Sequence, residues 1–151
     1  MSNILKNIFY IFLPLILGSL VGIIISNNID YATLIKPPLA PPKILFPIIW
    51  SILYLLMGIS FYILKKQEDN TFLESIIYYL QLFFNLLWSI IFFAFKWRFI
   101  ACVWIVILDG LVIYMMNLFY KKSKLSAYLN IPYLIWILFA TYLTIGIFIL
   151  N

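Results

Sequence analysis

Five apolar runs constrain this chain more than anything else in it. They cover about residues 5–26, 44–64, 72–95, 99–120 and 129–150, and each is longer than 18 residues. At a rise of ~1.5 Å per residue, about 20 apolar residues cross a hydrocarbon core of ~30 Å. Backbone polar groups in lipid must pair within their own segment, so each run reads as a helix. Membrane-barrel strands would be about 10 residues long and polar on one face, which these runs are not. The expected fold class is therefore an all-α membrane protein, a five-transmembrane-helix bundle spanning residues 1–151 as a single domain. Composition agrees, since 66% hydrophobic and 10% charged residues leave too little polar surface to face water. The net charge of +5 sits in the connections between runs. A lipid bilayer is thus an expected partner and nucleic acid is not.

The first run follows Lys6 as a signal peptide would, but it is long for one and lacks a clear small-x-small cleavage site. It is kept as a helix, with a kink expected at Pro14. Gly18 and Gly22 form a GxxxG pair, read either as packing within the bundle or as a dimer contact. Lysine and arginine counts set the expected orientation. Lys6, Lys65, Lys66, Lys121, Lys122 and Lys124 fall on the side of the N-terminus, against Lys36, Lys43, Lys96 and Arg98 opposite. Six against four favours a cytoplasmic N-terminus. Richness in Ile, Leu, Lys and Asn hints at an AT-rich genome, so a bacterial cell membrane is the expected location.

The connector 27–43 is the longest in the chain, and long loops are more often functional than not. Its end and the start of the next helix read KPPLAPPKILFPIIW, from Lys36 to Trp50, with prolines at 37, 38, 41, 42 and 47. Each proline fixes φ, removes a donor and pushes the preceding residue out of the helical region. Lys36 to Pro42 should be extended and stiff, and Pro47 should sit in the first turn of the second helix. A stiff segment leading into Trp50 implies a lid over a pocket.

Three helices carry aromatic stripes. Trp50, Tyr54, Gly58 and Phe61 share one face of the second helix, and Gln81, Asn85, Trp88 and Phe92 share one face of the third. Trp136, Ala140 and Thr144 share one face of the last. The stripes are either interhelical packing or the walls of a common ligand cavity. Trp97, beside Lys96 and Arg98, belongs to an interfacial aromatic belt. Asp109 is the only acid deep in an apolar run, and a carboxylate there should face the interior with a partner. The chain has no histidine and one cysteine, Cys102, which reads as a small packing residue. No metal site, catalytic triad, paired carboxylates or phosphate loop can be assembled. No enzymatic activity and no resident cofactor are expected.

These stretches resemble the TspO/MBR family, the tryptophan-rich sensory proteins that include the mitochondrial translocator protein. The resemblance rests on Pro14 to Gly18, on Lys36-Pro37 followed by Pro41-Pro42, and on three longer segments. Those are FPIIWSILYLLMG from Phe46 to Gly58, QLFFNLLWSIIFF from Gln81 to Phe93, and PYLIWILFATYL from Pro132 to Leu143. It implies a five-helix bundle, usually a homodimer, whose pocket takes porphyrins such as protoporphyrin IX, sterols or benzodiazepine-type drugs. The porphyrin is a ligand, in tetrapyrrole regulation or stress sensing. The pocket positions it implies are Phe46, Trp50, Tyr54, Asn85, Trp88, Trp136 and Ala140. Tyr31 and the loop with Lys36, Pro37, Pro41 and Pro42 would cover them. The chain departs from the family pattern at Asp30 and Leu39, where tryptophans are common, and at Thr144, where asparagine is. Light-dependent porphyrin breakdown and a non-catalytic membrane scaffold are the alternative functions.

Overall fold

The computed structural model describes residues 2–67 and 69–151. Five helical stretches are long and apolar enough to cross a membrane: Asn3–Asn28, Leu45–Lys65, Phe72–Ala94, Arg98–Lys122 and Lys124–Leu150. The helices are α1 (Asn3–Ile25), α2 (Leu45–Lys65), α3 (Phe72–Ser89), α4 (Arg98–Lys122), α5 (Lys124–Tyr128) and α6 (Ile131–Leu150). No strand occurs among the described residues. The protein is an all-helical integral membrane bundle. Its spans form a ring in which α1 packs on α2, α2 on α6, α6 on α4, α4 on α3, and α3 back on α1.

Chain alternation sorts the ends. The Lys65–Thr71 turn and the segment Ser123–Asn130 lie at the N-terminal end of the bundle. The connector 27–43, the turn after α3 and the C-terminus lie at the other. Side chains tie that second end together: Asn151 donates to the Ile35 carbonyl at 2.8 Å and accepts from its N–H at 3.1 Å.

Local breaks modify the expected runs. α1 continues helical through Pro14. The third run ends in a π-helical turn, Ile90–Ala94, closed by Phe95 N–H donating to Ile90 at 3.0 Å. The fifth run is the helix α6, and the connection before it, read from sequence as a loop, holds the short helix α5, whose polar groups pair with α2. Ser60 Oγ donates to Ser126 O at 2.6 Å, and Asn130 Nδ2 donates to Ser60 Oγ at 2.7 Å. Pro132 then opens α6 in its first turn.

α1 is the loosest element. Only 11% of its apolar window is buried, against 33–39% in the other spans. It crosses α2 where Gly58 meets the Ile11 backbone, and the Tyr10 and Phe61 rings meet edge-on at 5.3 Å. The GxxxG pair splits its roles. Gly18 leaves room for the Tyr54 ring, whereas Gly22 has nothing within 4 Å of where a Cβ would stand. α3 and α4 are joined by Trp104, which stacks on Phe84 at 4.3 Å and donates to its carbonyl at 2.9 Å.

Asp109 faces α6, where its Oδ2 lies 2.7 Å from Thr141 Oγ1. Thr141 Oγ1 is also 2.8 Å from the Ile137 carbonyl, and Asp109 Oδ1 is buried without a partner. Replacing Asp109 therefore orphans nothing, because Thr141 keeps its backbone acceptor. Asp109→Leu is expected to stabilise the bundle by about 1 kcal/mol, by removing an unmatched polar atom from an apolar site. A thermal melt in detergent checks the sign, and a clear loss of stability would show the Asp109–Thr141 bond to be worth more than this.

Candidate functional site

α1 and α2 splay apart beyond their crossing, toward the connector end, and a cavity of about 720 Å³ fills the gap. That volume suits a drug-sized ligand. α1 contributes small residues, including Gly18, Ser19, Gly22 and Ser26. α2 contributes Phe46, Pro47, Trp50, Ser51 and Tyr54. Trp88, Ser89 and Phe93 form the α3 side, and Ile29 and Tyr31 close the end. The outward-facing residues are Ser19, Gly22, Ile23 and Ser26 on one rim and Lys43, Ile44, Pro47 and Ser51 on the other. The cavity is thus open sideways between α1 and α2.

Five residues expected at the pocket line this cavity: Tyr31, Phe46, Trp50, Tyr54 and Trp88. Trp50 lies against Tyr54 with ring centroids 5.3 Å apart and planes at 29°. Trp88 lies against Phe92 at 5.5 Å. Both Trp88 and Trp136 have a buried indole N–H without an acceptor.

Three expected residues stand elsewhere. Asn85 sits behind Tyr54, and both its amide oxygen and its amide nitrogen are hydrogen-bonded. It accepts from Tyr54 Oη at 2.6 Å and donates to Tyr133 Oη at 2.9 Å. Trp136 meets the edge of Phe46 at 5.9 Å, so Phe46 stands between it and the cavity. Ala140 borders a separate hollow of about 20 Å³ with Tyr31, Phe46, Trp88, Phe92 and Thr144. The three tryptophans of the sequence stripes therefore do not share one cavity, because Phe46 and Tyr31, with rings 5.0 Å apart, wedge between α2 and α6.

The proline segment is ordered but does not cover the opening. It lies along α6, with Tyr142 donating to the Pro38 carbonyl at 2.6 Å. Pro37 sits where a Cβ on Gly146 would come within 2.7 Å of its ring. Leu39 turns the chain with a φ of 69°. Lys36, Pro37, Pro41 and Pro42 line no part of the cavity. Their contribution is to fix Tyr31. Its hydroxyl donates to Pro41 O at 2.7 Å, and Lys36 Nζ donates to the Tyr31 and Leu34 carbonyls at 2.9 and 3.2 Å. Burial raises the Tyr31 phenol above its ordinary pKa. Asp30 anchors the same segment to the turn after α3, through Arg98 at 2.7 Å and Lys96 at 3.8 Å.

The α1 wall is absent from the aromatic stripes, although Gly18, Gly22 and Ser26 recur every fourth residue and so share a face. Small residues at that spacing were the available signal for a cavity wall.

A ring of membrane-spanning helices with a sideways-open aromatic cavity defines a class of small integral membrane proteins with a ligand-sized site. Within that class the chain belongs to the TspO/MBR family, whose sequence profile matches residues 10–150. It is 37% identical to the tryptophan-rich protein TspO of Archaeoglobus fulgidus over 154 residues, covering 99% of each chain. It is 37% identical to the protein of the same name from Chlorobaculum tepidum, over 80% of this chain and 78% of that one. It is also 32% identical to the translocator protein of Bos taurus, over 73% of this chain and 68% of the relative.

Proposed function

We propose that the protein binds protoporphyrin IX or a similar flat hydrophobic ligand in the cavity between α1 and α2. The observation that carries this reading is the cavity itself: about 720 Å³ with Tyr31, Phe46, Trp50, Trp88 and Phe93 among its walls. Aromatic faces suit a planar, largely apolar macrocycle, and the serine hydroxyls give a few polar atoms at its rim. Sterols and benzodiazepine-type drugs are further candidates of the same character.

The role proposed is reception or carriage of the ligand, not its conversion. The chain has no histidine, and among the described residues no acid lines the cavity, so neither an imidazole nor a carboxylate base stands beside a ligand. The porphyrin is held as a ligand and not as a resident cofactor. Light-driven breakdown of a bound porphyrin is the alternative, and product analysis after illumination separates the two. A homodimer is proposed from the family resemblance, with light scattering of the detergent-solubilised protein as its check.

Quenching of tryptophan fluorescence by added protoporphyrin tests the binding claim. Losing one stacked indole and its buried area should weaken binding about tenfold or more. Trp50→Ala is therefore expected to cut affinity by that factor. Trp97→Phe, a change at a half-exposed ring whose neighbour is Phe95, is expected to leave it unchanged. Trp136→Ala is expected to have a smaller effect than Trp50→Ala, since Phe46 separates it from the ligand. Equal losses in all three variants, or none in any, would sink the assignment of the cavity.

A further inference from the structure

Thr141 has one hydroxyl hydrogen and two claims on it. Its Oγ1 lies 2.7 Å from Asp109 Oδ2 and 2.8 Å from the Ile137 carbonyl. One hydrogen cannot lie along both lines, but the oxygen can donate along one and accept along the other. Other hydroxyls in the spans show where such a hydrogen goes. Thr144 donates to the Ala140 carbonyl at 2.7 Å and Ser51 to the Pro47 carbonyl at 2.6 Å, each one turn back. With the Thr141 hydrogen on Ile137, the contact with Asp109 needs a second hydrogen, and only the Asp109 carboxyl can bring it.

The surroundings make the same demand. Asp109 is 9% exposed, and its Oδ1 is buried without a partner. It stands mid-span, so what exposure it has is to lipid and not to water. Arg98 and Lys121, at the two ends of α4, are about 16 and 18 Å away along the axis at ~1.5 Å per residue. The elements packed on α4 bring no cation to it. α6 contains no Lys, Arg, Asp or Glu, and its Tyr133 and Tyr142 spend their hydrogens on Gln81 and on the Pro38 carbonyl. α3 brings Tyr78, Tyr79 and, in its first turn, Glu74. Lys124 and Tyr128 belong to α5 at the N-terminal end of the bundle, and the π-helical turn has no ionisable group. Cys102 and Tyr114 are the neutral ionisable groups nearest to Asp109 on α4 itself. An unbalanced charge at that depth costs more than taking up a proton.

We propose that Asp109 is a proton-binding site in the middle of the bilayer, held at neutral pH as an un-ionised carboxylic acid that donates to Thr141, and that it makes the α4–α6 contact sensitive to pH. The neutral acid is accommodated with one unmatched oxygen. Loss of its proton places a charge between two apolar helices and pulls the Thr141 hydrogen away from Ile137. α4 and α6 should then part. α6 also seats the proline segment, through Tyr142 and Gly146, so the connector should loosen with it. The folded site favours the protonated form. Its stability is therefore kept at low pH and lost as the pH rises and the proton leaves.

The test uses the full chain in a neutral detergent. Infrared spectra at neutral pH are expected to show the carbonyl stretch of an un-ionised carboxylic acid, which lies apart from the carboxylate bands. Asp109→Asn should remove that band, and so should Asp109→Leu, which keeps the test open if the amide variant folds poorly. Thr141→Val should shift the band without abolishing it, because the acid loses its acceptor and keeps its proton. Thermal melts across pH give the second readout. The parent is expected to melt lower at alkaline than at neutral pH by several degrees more than Asp109→Asn does. The amide can donate to Thr141 as the acid does, but it has no proton to lose in that range. Absence of an acid carbonyl band from the parent at neutral pH would overturn the proposal, since Asp109 would then be a carboxylate. A band unchanged in both Asp109 variants would also overturn it, because the band would belong to another acid such as Glu74. A parent whose melting follows pH as Asp109→Asn does would overturn the sensitivity of the α4–α6 contact.

Discussion

Gly58→Ala is expected to cost the bundle about 3 kcal/mol and to weaken ligand binding at least tenfold, the upper range for overpacking a close helix contact. A Cβ on Gly58 would overlap the carbonyl of Ile11, and the nearest atoms are all Ile11 backbone. No rotamer change can relieve a clash with a main chain, so α1 and α2 must move apart. α1 has little else to hold it, given how little of it is buried. Its other anchors include the Tyr54 ring against Gly18, the Tyr10–Phe61 edge contact and its packing against α3. The same displacement carries Leu15, Gly18 and Ser19 away from Trp50 and Tyr54 across the cavity. Stability and binding should therefore fall together. Gly110→Ala is the control, since nothing lies within 4 Å of its added Cβ and α4 gains helix propensity. Thermal melts of both variants in detergent check the pair. A Gly58→Ala protein that melts like the parent would mean that α1 does not cross α2 at this point.

This dependence on α1 explains which parts of the site were legible in sequence. The spans were, because about 20 consecutive apolar residues admit one solution in lipid. Trp50, Tyr54 and Trp88 were, because helical spacing puts large rings on interior faces. The α1 wall was harder to see, since it is built from what is missing: Gly22 and Ser19 leave space where aromatic residues announce themselves. The polar residues need a different account. Asn85 has the right type and the right face for a ligand contact, and its amide bonds to hydroxyls 31 and 48 residues away. Sequence shows how many donors and acceptors a face carries, not which neighbour uses them. The short helix before α6 is of the same kind, since Ser126 falls in a stretch that reads as a connector until Ser60 is placed beside it. The proline segment is not extended throughout as its sequence suggests, because it turns at Pro38 and Leu39, where Leu39 takes a φ of 69°. Its destination on α6 depended on Gly146 and Tyr142, more than 100 residues downstream.

The buried amide also sets the second large effect. Tyr54 Oη donates to Asn85 Oδ1 at 2.6 Å, and Asn85 Nδ2 donates to Tyr133 Oη at 2.9 Å. Tyr133 Oη donates in turn to Gln81 Oε1 at 2.8 Å, and Gln81 Nε2 reaches Met57 Sδ at 3.4 Å. The chain joins α2, α3 and α6 where water does not reach, since Gln81, Asn85 and Tyr133 are all 0–1% exposed. Asn85→Leu keeps the volume and removes both of its bonds. Tyr133 retains its donation to Gln81, but the Tyr54 hydroxyl is left with no acceptor. One orphaned buried donor costs about 1–3 kcal/mol, and hydrogen bonds between helices in lipid average nearer 0.6 kcal/mol because the unfolded helices also find partners. The sum expected for Asn85→Leu is about 2 kcal/mol. Tyr54→Phe alone should cost less, because an amide oxygen short of one donor is better tolerated than a stranded hydroxyl hydrogen. The double variant removes the stranded group entirely, so it should be about 1 kcal/mol more stable than the two single losses added together. Unfolding of all three variants in detergent measures this coupling. Binding gives an independent readout: Tyr54 backs the Trp50 ring, so Asn85→Leu should weaken protoporphyrin binding without touching the cavity wall. Strictly additive stabilities with unchanged binding would mean that the amide is a bystander and that packing alone holds Tyr54 and Trp50 in place.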